Sequence, residues 1–499
     1  MMDISHSRRT AEMQRCHYEL FQNLMPDLMS RLFWNREEID RFRTQELRSL
    51  LRHAKLHSPW HAKRLVHIDA DRATVADLRS VPPMTKADLM ENWDSIVTVP
   101  GASLLEAEQS IKAGIDRQYL WGDRTVIASG GTGGAPGLFV YDWDALAIDW
   151  SATTRSISIA LLRDEGQPSS LIRRLLDSAL TRNWVGRSRS WAIRAMMRAG
   201  RDRPMRSAAI GAESSSHGSY VLATIFSDPA APTLRLSAWR PLAEIVSALN
   251  EFQPEVLSIY PSLIGELESA IAAGALKIDP VIILFVSEHL SADGLARARA
   301  LWPRSLPLTF WSTSEASATF PCPLADGGFH VSEDLAVIEP VSSENSHGFD
   351  CGIYLTNLYN RALPIIRYHV DDMFEFADGH CACGLAYAKI STVHGRAFER
   401  FFYDGKAVHP LAIELPLLKE TSVRSYQLRQ SVNGVEVRYT GGERIDQAKL
   451  KAEIARSLEE HGVAAPDVVV ERVDEIERTV AGKLRRYVPM SGQNKSPDS

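Results

Sequence analysis

The sequence is poor in cysteine and contains no long hydrophobic run. Only five cysteines occur among 499 residues, without the regular spacing of a disulfide framework, which favours a reducing compartment. The longest purely apolar run, VIILFV at 281–286, is far too short to cross a membrane and suits a buried strand. The first residues, MMDISHSRRTAEMQ, lack the apolar core of a signal peptide. These absences predict a cytoplasmic protein without a transmembrane segment.

A strong excess of either charge is also missing. The formal net charge of −6 gives no reason to expect nucleic-acid binding. A chain of this length exceeds what one core supports, so we expect two or three domains and an enzyme as the default class. One segment departs from this balance, because residues 163–206 hold eleven arginines against four acids. A solvated helical face explains it better than an anion-binding or membrane-surface role.

A glycine-rich loop stands out in the segment 125–141, TVIASGGTGGAPGLFVY. A short β-branched run leads into five glycines among eight residues, which predicts a strand feeding a loop. Glycines let backbone N–H groups point into one concavity, and the hydroxyls of Ser129 and Thr132 add donors, so the pattern favours phosphate binding. No Gly-Lys-Ser/Thr closes the loop, which excludes a Walker motif. A mobile surface loop would show the same composition.

Alternating strands and helices between residues 207 and 400 predict an α/β domain with a mostly parallel sheet. The predicted strands are YVLATIF, VLSIY, VIILFV and LPLTFW, and the predicted helices cover 241–252, 262–273 and 292–302. Residues 329–376 are strand-rich, and the chain beyond 395 predicts a small α+β unit with a charged helix at 445–460. Upstream, we predict helices over 10–65 and 144–162, and Thr85 as the cap of a helix that begins at Lys86.

Several stretches outside the loop carry reactive side chains. WSTSEA at 311–316 follows a predicted strand, so Glu315 is a plausible Mg²⁺ ligand at the sheet edge where ligands bind. RYHVDD ends a strand in Asp371 and Asp372, which suit ribose hydroxyls. HGRAFERFFYDGK at 394–406 is an expected hinge between domains, and TVAGKLRR at 479–486 places Lys483 in a basic turn. Any one of these could be a satisfied strand end or a solvated turn, so their joint order carries the argument.

That order resembles the adenylate-forming superfamily, and most closely its phenylacetate–CoA ligase branch. The matching residues are Ser129, Gly130, Thr132, Gly133, Tyr141, Asp144 and Trp150 around the phosphate loop, Ser287-Glu288-His289 in the adenine stretch, Trp311-Ser312-Thr313-Ser314-Glu315, Pro364 to Tyr368 with Asp371-Asp372, Gly395-Arg396, and Gly482-Lys483. The sequence departs from the branch at Gly131, where a serine or threonine is usual, and in lacking the loop lysine.

The resemblance implies an α/β fold with a large N-terminal domain and a small mobile one. Residues 1–395 would form the adenylation domain, with parallel-rich sheets, helices and a β-subdomain. Residues 396–490 would form an α+β lid that carries the catalytic lysine, and 491–499 a disordered tail. The implied enzyme activates an aromatic or small hydrophobic carboxylic acid with ATP and Mg²⁺, and then passes the acyl group to coenzyme A. Transfer to an amine, an amino acid or a carrier-protein thiol stays open, as does a non-catalytic relative that only binds.

The resemblance also implies roles for individual residues. Catalytic roles fall to Lys483, Ser314 and Glu315, the last as Mg²⁺ ligand, and we add His217. Nucleotide-binding roles fall to Ser129, Gly130, Gly131, Thr132, Gly133, Ser287, Glu288, Trp311, Ser312, Thr313, Asp372 and Arg396. We expect the substrate pocket to use Tyr141, His217, Tyr260 and Pro261. Lys483 would bridge the carboxylate and the α-phosphate, Asp372 and Arg396 would fix the ribose, and Trp311 would stack on adenine.

A possible metal site stands apart from these residues. Cys322, His330, Cys381 and Cys383 form an accepted structural zinc set, with Cys381 and Cys383 in a tight Cys-x-Cys pair. Buried free thiols with a surface histidine are the alternative interpretation. Because four protein ligands leave no open position, we expect a bound zinc to be structural. Cys16 and Cys351 are predicted to be ordinary thiols.

Overall fold

The structure is a computed structural model. It describes residues 4–490 except 114–118, 130–135, 162, 165–166, 169–204, 212–217, 228–230, 289, 291, 310, 323–327, 343–350, 397–400, 405, 409–412, 414–415, 418–419, 421–422, 442–444, 478–483 and 485. The arginine-rich segment therefore lies largely outside the described residues. No helix among the described residues is both long and apolar enough to span a membrane.

Helices make up the N-terminal part of the fold. They are α1 (Ile4–Arg31), α2 (Arg36–His57), α3 (Pro59–Arg64), α4 (Lys86–Glu91), α5 (Trp93–Ile96) and α6 (Leu104–Ala113), with a 3-10 turn at Val75–Ser80. Capping boxes fix the starts of α2 and α4, where Asn35 pairs with Glu38 and Thr85 with Asp88. The predicted helices over 10–65 and the predicted cap at Thr85 are thus confirmed.

A hairpin and a long helix follow. Strands β1 (Thr125–Ala128) and β2 (Leu138–Tyr141) pair antiparallel and are buried along their whole length, and α7 (Trp143–Leu161) packs along α1. The guanidinium of Arg155 on α7 forms two hydrogen bonds of 2.8 and 2.9 Å with the carboxylate of Asp334. Both side chains are fully buried, so each charge depends on the other for compensation.

A parallel sheet forms the centre of the α/β region. Its strands are β5 (Ser207–Gly211), β6 (Thr233–Ser237), β7 (Val256–Ile259), β8 (Ile282–Phe285) and β9 (Leu306–Thr309), in the order β6-β5-β7-β8-β9 and parallel throughout. The short hairpin β3 (Arg163–Asp164) and β4 (Gln167–Pro168) precedes it. All four residues of β8 are buried, as expected for a parallel strand covered on both faces.

Helices connect these strands. They are α8 (Gly218–Ile225), α9 (Leu242–Phe252), α10 (Ile264–Ala272) and α11 (Ala292–Leu301), with a 3-10 turn at Pro261–Leu263 before α10. The predicted strand YVLATIF is wrong, because these residues belong to α8 and its end. Val221, Leu222 and Ile225 are buried at helical spacing, so packing against the core outweighs the strand preference of their β-branched neighbours.

Antiparallel sheets follow the parallel one, in the part predicted to be strand-rich. Their strands are β10 (Thr319–Pro321), β11 (Phe329–Val331), β12 (Ala336–Pro340), β13 (Ile353–Asn357), β14 (Tyr368–Val370), β15 (Asp372–Phe376) and β16 (Lys389–Arg396). They form the sheets β10-β11-β16-β15 and β12-β13-β14. This part matches the β-subdomain that the resemblance implies.

The C-terminal unit has its own sheet and core. Its elements are β17 (Phe401–Tyr403), β18 (Lys406–Val408), β19 (Val423–Ser431), β20 (Gly434–Gly441), α12 (Gln447–Glu460), β21 (Asp467–Arg472) and β22 (Tyr487–Val488). The sheet order is β21-β20-β19-β22, and apolar residues of α12 such as Leu450 and Ile454 pack onto it. The division at residue 395 falls within β16 and stays a prediction.

Candidate active site

The neck of the glycine-rich loop is closed by Ser129. Its backbone N–H donates to the carbonyl of Gly137 at 2.8 Å, and its hydroxyl oxygen accepts from the N–H of Gly137 at 2.8 Å. These two bonds continue the β1–β2 pairing past Ala128 and fix where the loop begins and ends. Gly130, Gly131, Thr132 and Gly133 lie outside the described residues.

The segment Trp311–Glu315 follows β9 at the carboxyl edge of the parallel sheet. It is tied to the hairpin, because the hydroxyl of Ser314 donates to the carbonyl of Ala128 at 3.4 Å and the hydroxyl of Tyr141 donates to the carbonyl of Ser314 at 2.9 Å. Ala128 directly precedes Ser129. The structure therefore brings the predicted metal-binding segment and the neck of the predicted phosphate loop together.

Glu315 lies at the end of this segment and is mostly buried, with 9% of its surface exposed. The hydroxyl of Tyr368 donates a hydrogen bond to the carboxylate of Glu315. Burial raises the pKa of Tyr368, and the negative charges of Glu315 and Asp371 raise it further. The carbonyl of Glu315 accepts from the side-chain amide of Asn357 at 2.8 Å. Hydrogen bonds therefore hold both the carboxylate and the backbone carbonyl of Glu315.

The segment also has internal order. The N–H of Glu315 donates to the hydroxyl of Thr313 at 3.3 Å, and the hydroxyl of Ser312 lies 3.4 Å from that of Ser317. Trp311 makes an edge-to-face contact with Phe374, with ring centroids 4.8 Å apart. Its backbone N–H and carbonyl both bond the hydroxyl of Thr319. These bonds fix the backbone on which Glu315 is mounted.

A buried polar network below this segment was not expected from the sequence. Asp149 on α7 accepts from the hydroxyl of Tyr359 and, at 3.0 Å, from the N–H of Ser317. Burial raises the pKa of Asp149 to about 6, although these hydrogen bonds oppose the rise. Asn360 donates to the carbonyl of Val140 at 2.8 Å. The network joins α7, β2 and the turn after β13. It contacts the Glu315 segment through the N–H of Ser317.

Asp372 and Arg396 lie directly across from each other on two neighbouring strands. They are register partners at one end of the antiparallel pair β15–β16, and Asp372 is 9% exposed. The sequence separates them by 24 positions, yet the pairing sets their backbones side by side. This placement is consistent with the common ribose-binding role predicted for the two residues.

Glu288, after β8, forms a contact with the C-terminal unit. Its carboxylate accepts from the N–H of Ser262 at 3.0 Å, from the hydroxyl of Ser262 at 3.2 Å and from the N–H of Leu484 at 2.9 Å. Lys483 itself lies outside the described residues, but it directly precedes Leu484. Leu484, a residue of the C-terminal unit, is thus connected to the carboxyl edge of the parallel sheet.

No protein-family model matches the chain. Among curated proteins, it is similar to the phenylacetate-coenzyme A ligase of Thermus thermophilus, with 27% identity over 133 residues. That match covers 26% of this chain and 28% of the relative, so the chain spans less than a third of the length of the curated relative that it matches.

Two solved structures of 2-hydroxyisobutyryl-CoA ligase match much more of the chain. In the postadenylation state with R3-HIB-AMP, the TM-score is 0.65 at 16% identity, covering 93% of this chain and 92% of that one. In the thioesterification state with 2-HIB-AMP and CoA, the TM-score is 0.52 at 17% identity, covering 92% and 91%. The chain has the fold of the adenylate-forming ligases. The resemblance and the fold class drawn from the motif order are confirmed.

Within the adenylate-forming fold, the residues predicted for the acid pocket are only partly described. Tyr141 and Tyr260 are each 1% exposed, and Pro261 is buried in the 3-10 turn after β7. The hydroxyl of Tyr141 donates to the backbone carbonyl of Ser314, so Tyr141 links β2 to the Glu315 segment. His217 lies outside the described residues. The pocket assignment therefore remains a prediction.

The four predicted metal ligands of this fold converge. The ligand atoms of Cys322, His330, Cys381 and Cys383 all lie within 4.8 Å of one another. The sulfurs of Cys322 and Cys381 are 3.6 Å apart, and the sulfur of Cys383 is 3.3 Å from Nε2 of His330. Nδ1 of His330 lies 3.0 Å from the carbonyl of Tyr387, which orients the ring so that Nε2 faces the sulfurs. Three thiols and one imidazole nitrogen match a tetrahedral zinc site.

Proposed function

We propose that the protein is an AMP-forming carboxylic acid ligase. The observation that carries this proposal is the gathering of three segments at one sheet edge of the adenylate-forming fold. The Glu315 segment follows β9, Ser314 connects it to the neck of the glycine loop, and Leu484 bonds Glu288 after β8. Ligands of parallel α/β sheets bind at this edge.

The proposed chemistry follows from the poor reactivity of a carboxylate. Its direct substitution would expel oxide, so one carboxylate oxygen first attacks the α-phosphorus of ATP and pyrophosphate leaves. The resulting acyl-adenylate then loses AMP when a thiolate attacks its carbonyl carbon. Because two anions meet in the first step, positive charge must be held at the point of attack. Lys483 is the residue we assign to that task.

The other residues divide the work of binding. Glu315 would hold Mg²⁺, which supplies charge neutralisation at the phosphates. Ser129, Thr132 and the loop amides would hold the β- and γ-phosphates, Asp372 and Arg396 the ribose, and Trp311 the adenine. The Asp149–Tyr359–Ser317 network supports these roles, because it bonds Ser317, two residues after Glu315, to α7 and to Tyr359.

We propose coenzyme A as the acceptor and an aromatic or small hydrophobic acid as the substrate. The names of the similar proteins support both choices, since one is a phenylacetate-coenzyme A ligase and the other a 2-hydroxyisobutyryl-CoA ligase. The TM-score is higher against the postadenylation state than against the thioesterification state of that ligase. This difference supports an arrangement of the described residues like that of the postadenylation state.

We also propose a structural zinc ion and a reducing compartment. The Cys₃His cluster offers four ligands and so leaves no open coordination position for catalysis. The five cysteines, all among the described residues, form no disulfide. A cytoplasmic location is consistent with this cysteine chemistry.

Product analysis tests the proposed reaction. With ATP, Mg²⁺, CoA and the correct acid, we expect equal amounts of AMP, pyrophosphate and acyl-CoA, measured by chromatography. Parallel reactions replace CoA with amines, amino acids or a carrier protein. Formation of an amide or an acylated carrier without acyl-CoA would move the acceptor to the second candidate. Release of ADP instead of AMP would contradict the adenylation itself.

A further inference from the structure

The backbone of Trp311 is attached to strand β10 by one side chain. The hydroxyl of Thr319 accepts from the N–H of Trp311 at 3.0 Å and donates to the carbonyl of Trp311 at 2.6 Å. Thr319 is the first residue of β10 and is 2% exposed. A single hydroxyl thus satisfies both backbone groups of Trp311, as a neighbouring strand would do. This buried pair of hydrogen bonds fixes the point from which the indole projects.

The ring of Trp311 is held separately, by Phe374 on β15. The two rings meet edge to face, with centroids 4.8 Å apart and planes at 88°. Aromatic pairs favour this geometry because the positive edge of one ring meets the negative face of the other. Trp311 is partly buried and also packs on a cluster of apolar residues from β11 and β16. The indole therefore lies against the sheet β10-β11-β16-β15.

Phe374 also relates Trp311 to the residues predicted for the ribose. Asp372 and Phe374 are alternate residues of β15, so their side chains lie on the same face, about 7 Å apart along the strand. The extra residue of the β15–β16 pairing lies on β16, where three steps from Arg396 to Val393 oppose two on β15. The residue predicted to stack on adenine thus contacts the sheet face that carries the acid predicted for the ribose.

We infer that Thr319 and Phe374 are positioning residues that hold Trp311 as a preformed platform for the adenine base. This inference rests on the proposed function, because stacking of Trp311 on adenine belongs to the proposed nucleotide site. Thr319 fixes the backbone and Phe374 fixes the ring, and neither touches the nucleotide. The indole is already ordered before ATP binds, so ordering it does not reduce the affinity for ATP. Neither residue belongs to the motifs that carry the resemblance.

Fluorine NMR of the full-length protein tests this positioning without requiring activity. Incorporation of 5-fluorotryptophan labels all eleven tryptophans, and Trp311→Phe identifies the resonance of Trp311. In the unmodified protein, AMP should shift this resonance, because the base stacks on the indole. Thr319→Val should move the resonance of the free protein and weaken AMP binding about 10-fold, since two hydrogen bonds are lost. Thr319→Ser keeps the hydroxyl and should restore both.

Two further variants complete the binding experiment. Phe374→Leu should weaken AMP binding about 2- to 10-fold, as for loss of an aromatic pair. Thr125→Val is the matched control, because it removes an equally buried hydroxyl that has no hydrogen-bond partner within the described part of the chain. It should change neither the resonance nor the affinity. A Trp311 resonance that does not respond to AMP, or a Thr319→Val protein with unchanged resonance and affinity, would overturn the inference.

Kinetics of ATP–pyrophosphate exchange separate positioning from a general loss of structure. Thr319→Val should raise the KM for ATP about 10-fold and leave the rate at saturating ATP and the KM for the acid unchanged, because only nucleotide binding is weakened. The increase should largely disappear when Trp311→Ala is already present, since both changes remove the same contribution. An undiminished increase in that background would contradict the role assigned to Thr319. Absence of exchange with every acid, together with the expected AMP effects on Trp311, would refute the proposed function and leave the inference intact.

Discussion

Replacing Lys483 with alanine is expected to slow acid-dependent ATP–pyrophosphate exchange about 10²–10³-fold, as for loss of one preorganised charge-stabilising donor. The reason is the meeting of two anions, since the carboxylate approaches the α-phosphate only where a cation offsets their repulsion. Leu484, the next residue, donates its N–H to the carboxylate of Glu288 after β8 at 2.9 Å.

The matched control for this variant is Lys451→Ala, which removes an exposed lysine from α12 of the same unit. It should leave exchange unchanged, and circular dichroism should show both variants folded. Acyl transfer from supplied acyl-adenylate should survive in Lys483→Ala, because the lysine acts only in the first half-reaction. Full exchange activity in Lys483→Ala would contradict the role assigned to this residue.

Removing zinc is expected to destabilise the protein more than any exposed substitution. Cys322 follows β10, His330 lies in β11, and Cys381 and Cys383 belong to the connection between β15 and β16. A metal would thus join the end of β10, strand β11 and the β15–β16 connection of one sheet. Loss of a structural metal belongs to the small class of changes that cost about 4–5 kcal/mol or more.

Metal analysis and thermal unfolding measure this effect. Protein purified without chelator should contain about one zinc per chain. Cys383→Ser should lose that zinc and unfold at a markedly lower temperature, whereas Cys16→Ser, an exposed thiol, should keep both. Protein without stoichiometric zinc would refute the metal, and a zinc-free Cys383→Ser variant with wild-type stability would refute its structural role.

The sequence revealed those parts of the fold that depend on local patterns. The run VIILFV predicted the fully buried β8, and Thr85 predicted the start of α4. The order of short motifs carried the adenylate-forming assignment, which the structural comparison bears out. The failure at YVLATIF has a physical cause, because the burial of Val221 and Ile225 on one helical face is set by partners that the local sequence does not contain.

Long-range polar contacts could not be predicted in the same way. Asp149 and Tyr359 are 210 positions apart, and neither lies in a recognisable motif. Arg155 and Asp334, 179 positions apart, form an ion pair whose burial only the folded chain reveals. Asn357, at the end of β13, and Asn360 were the available signal, since amide side chains at strand ends often bond nearby backbone.

The most direct test of the central claim is ATP–pyrophosphate exchange by the unmodified protein across a panel of aromatic, aliphatic and amino acids. The account predicts exchange that requires Mg²⁺ and one class of carboxylic acid, with aromatic or small hydrophobic acids most active. Folded, zinc-replete protein that binds no ATP by calorimetry and catalyses no exchange with any acid would contradict it, and would identify the chain as a non-catalytic protein with the adenylate-forming fold.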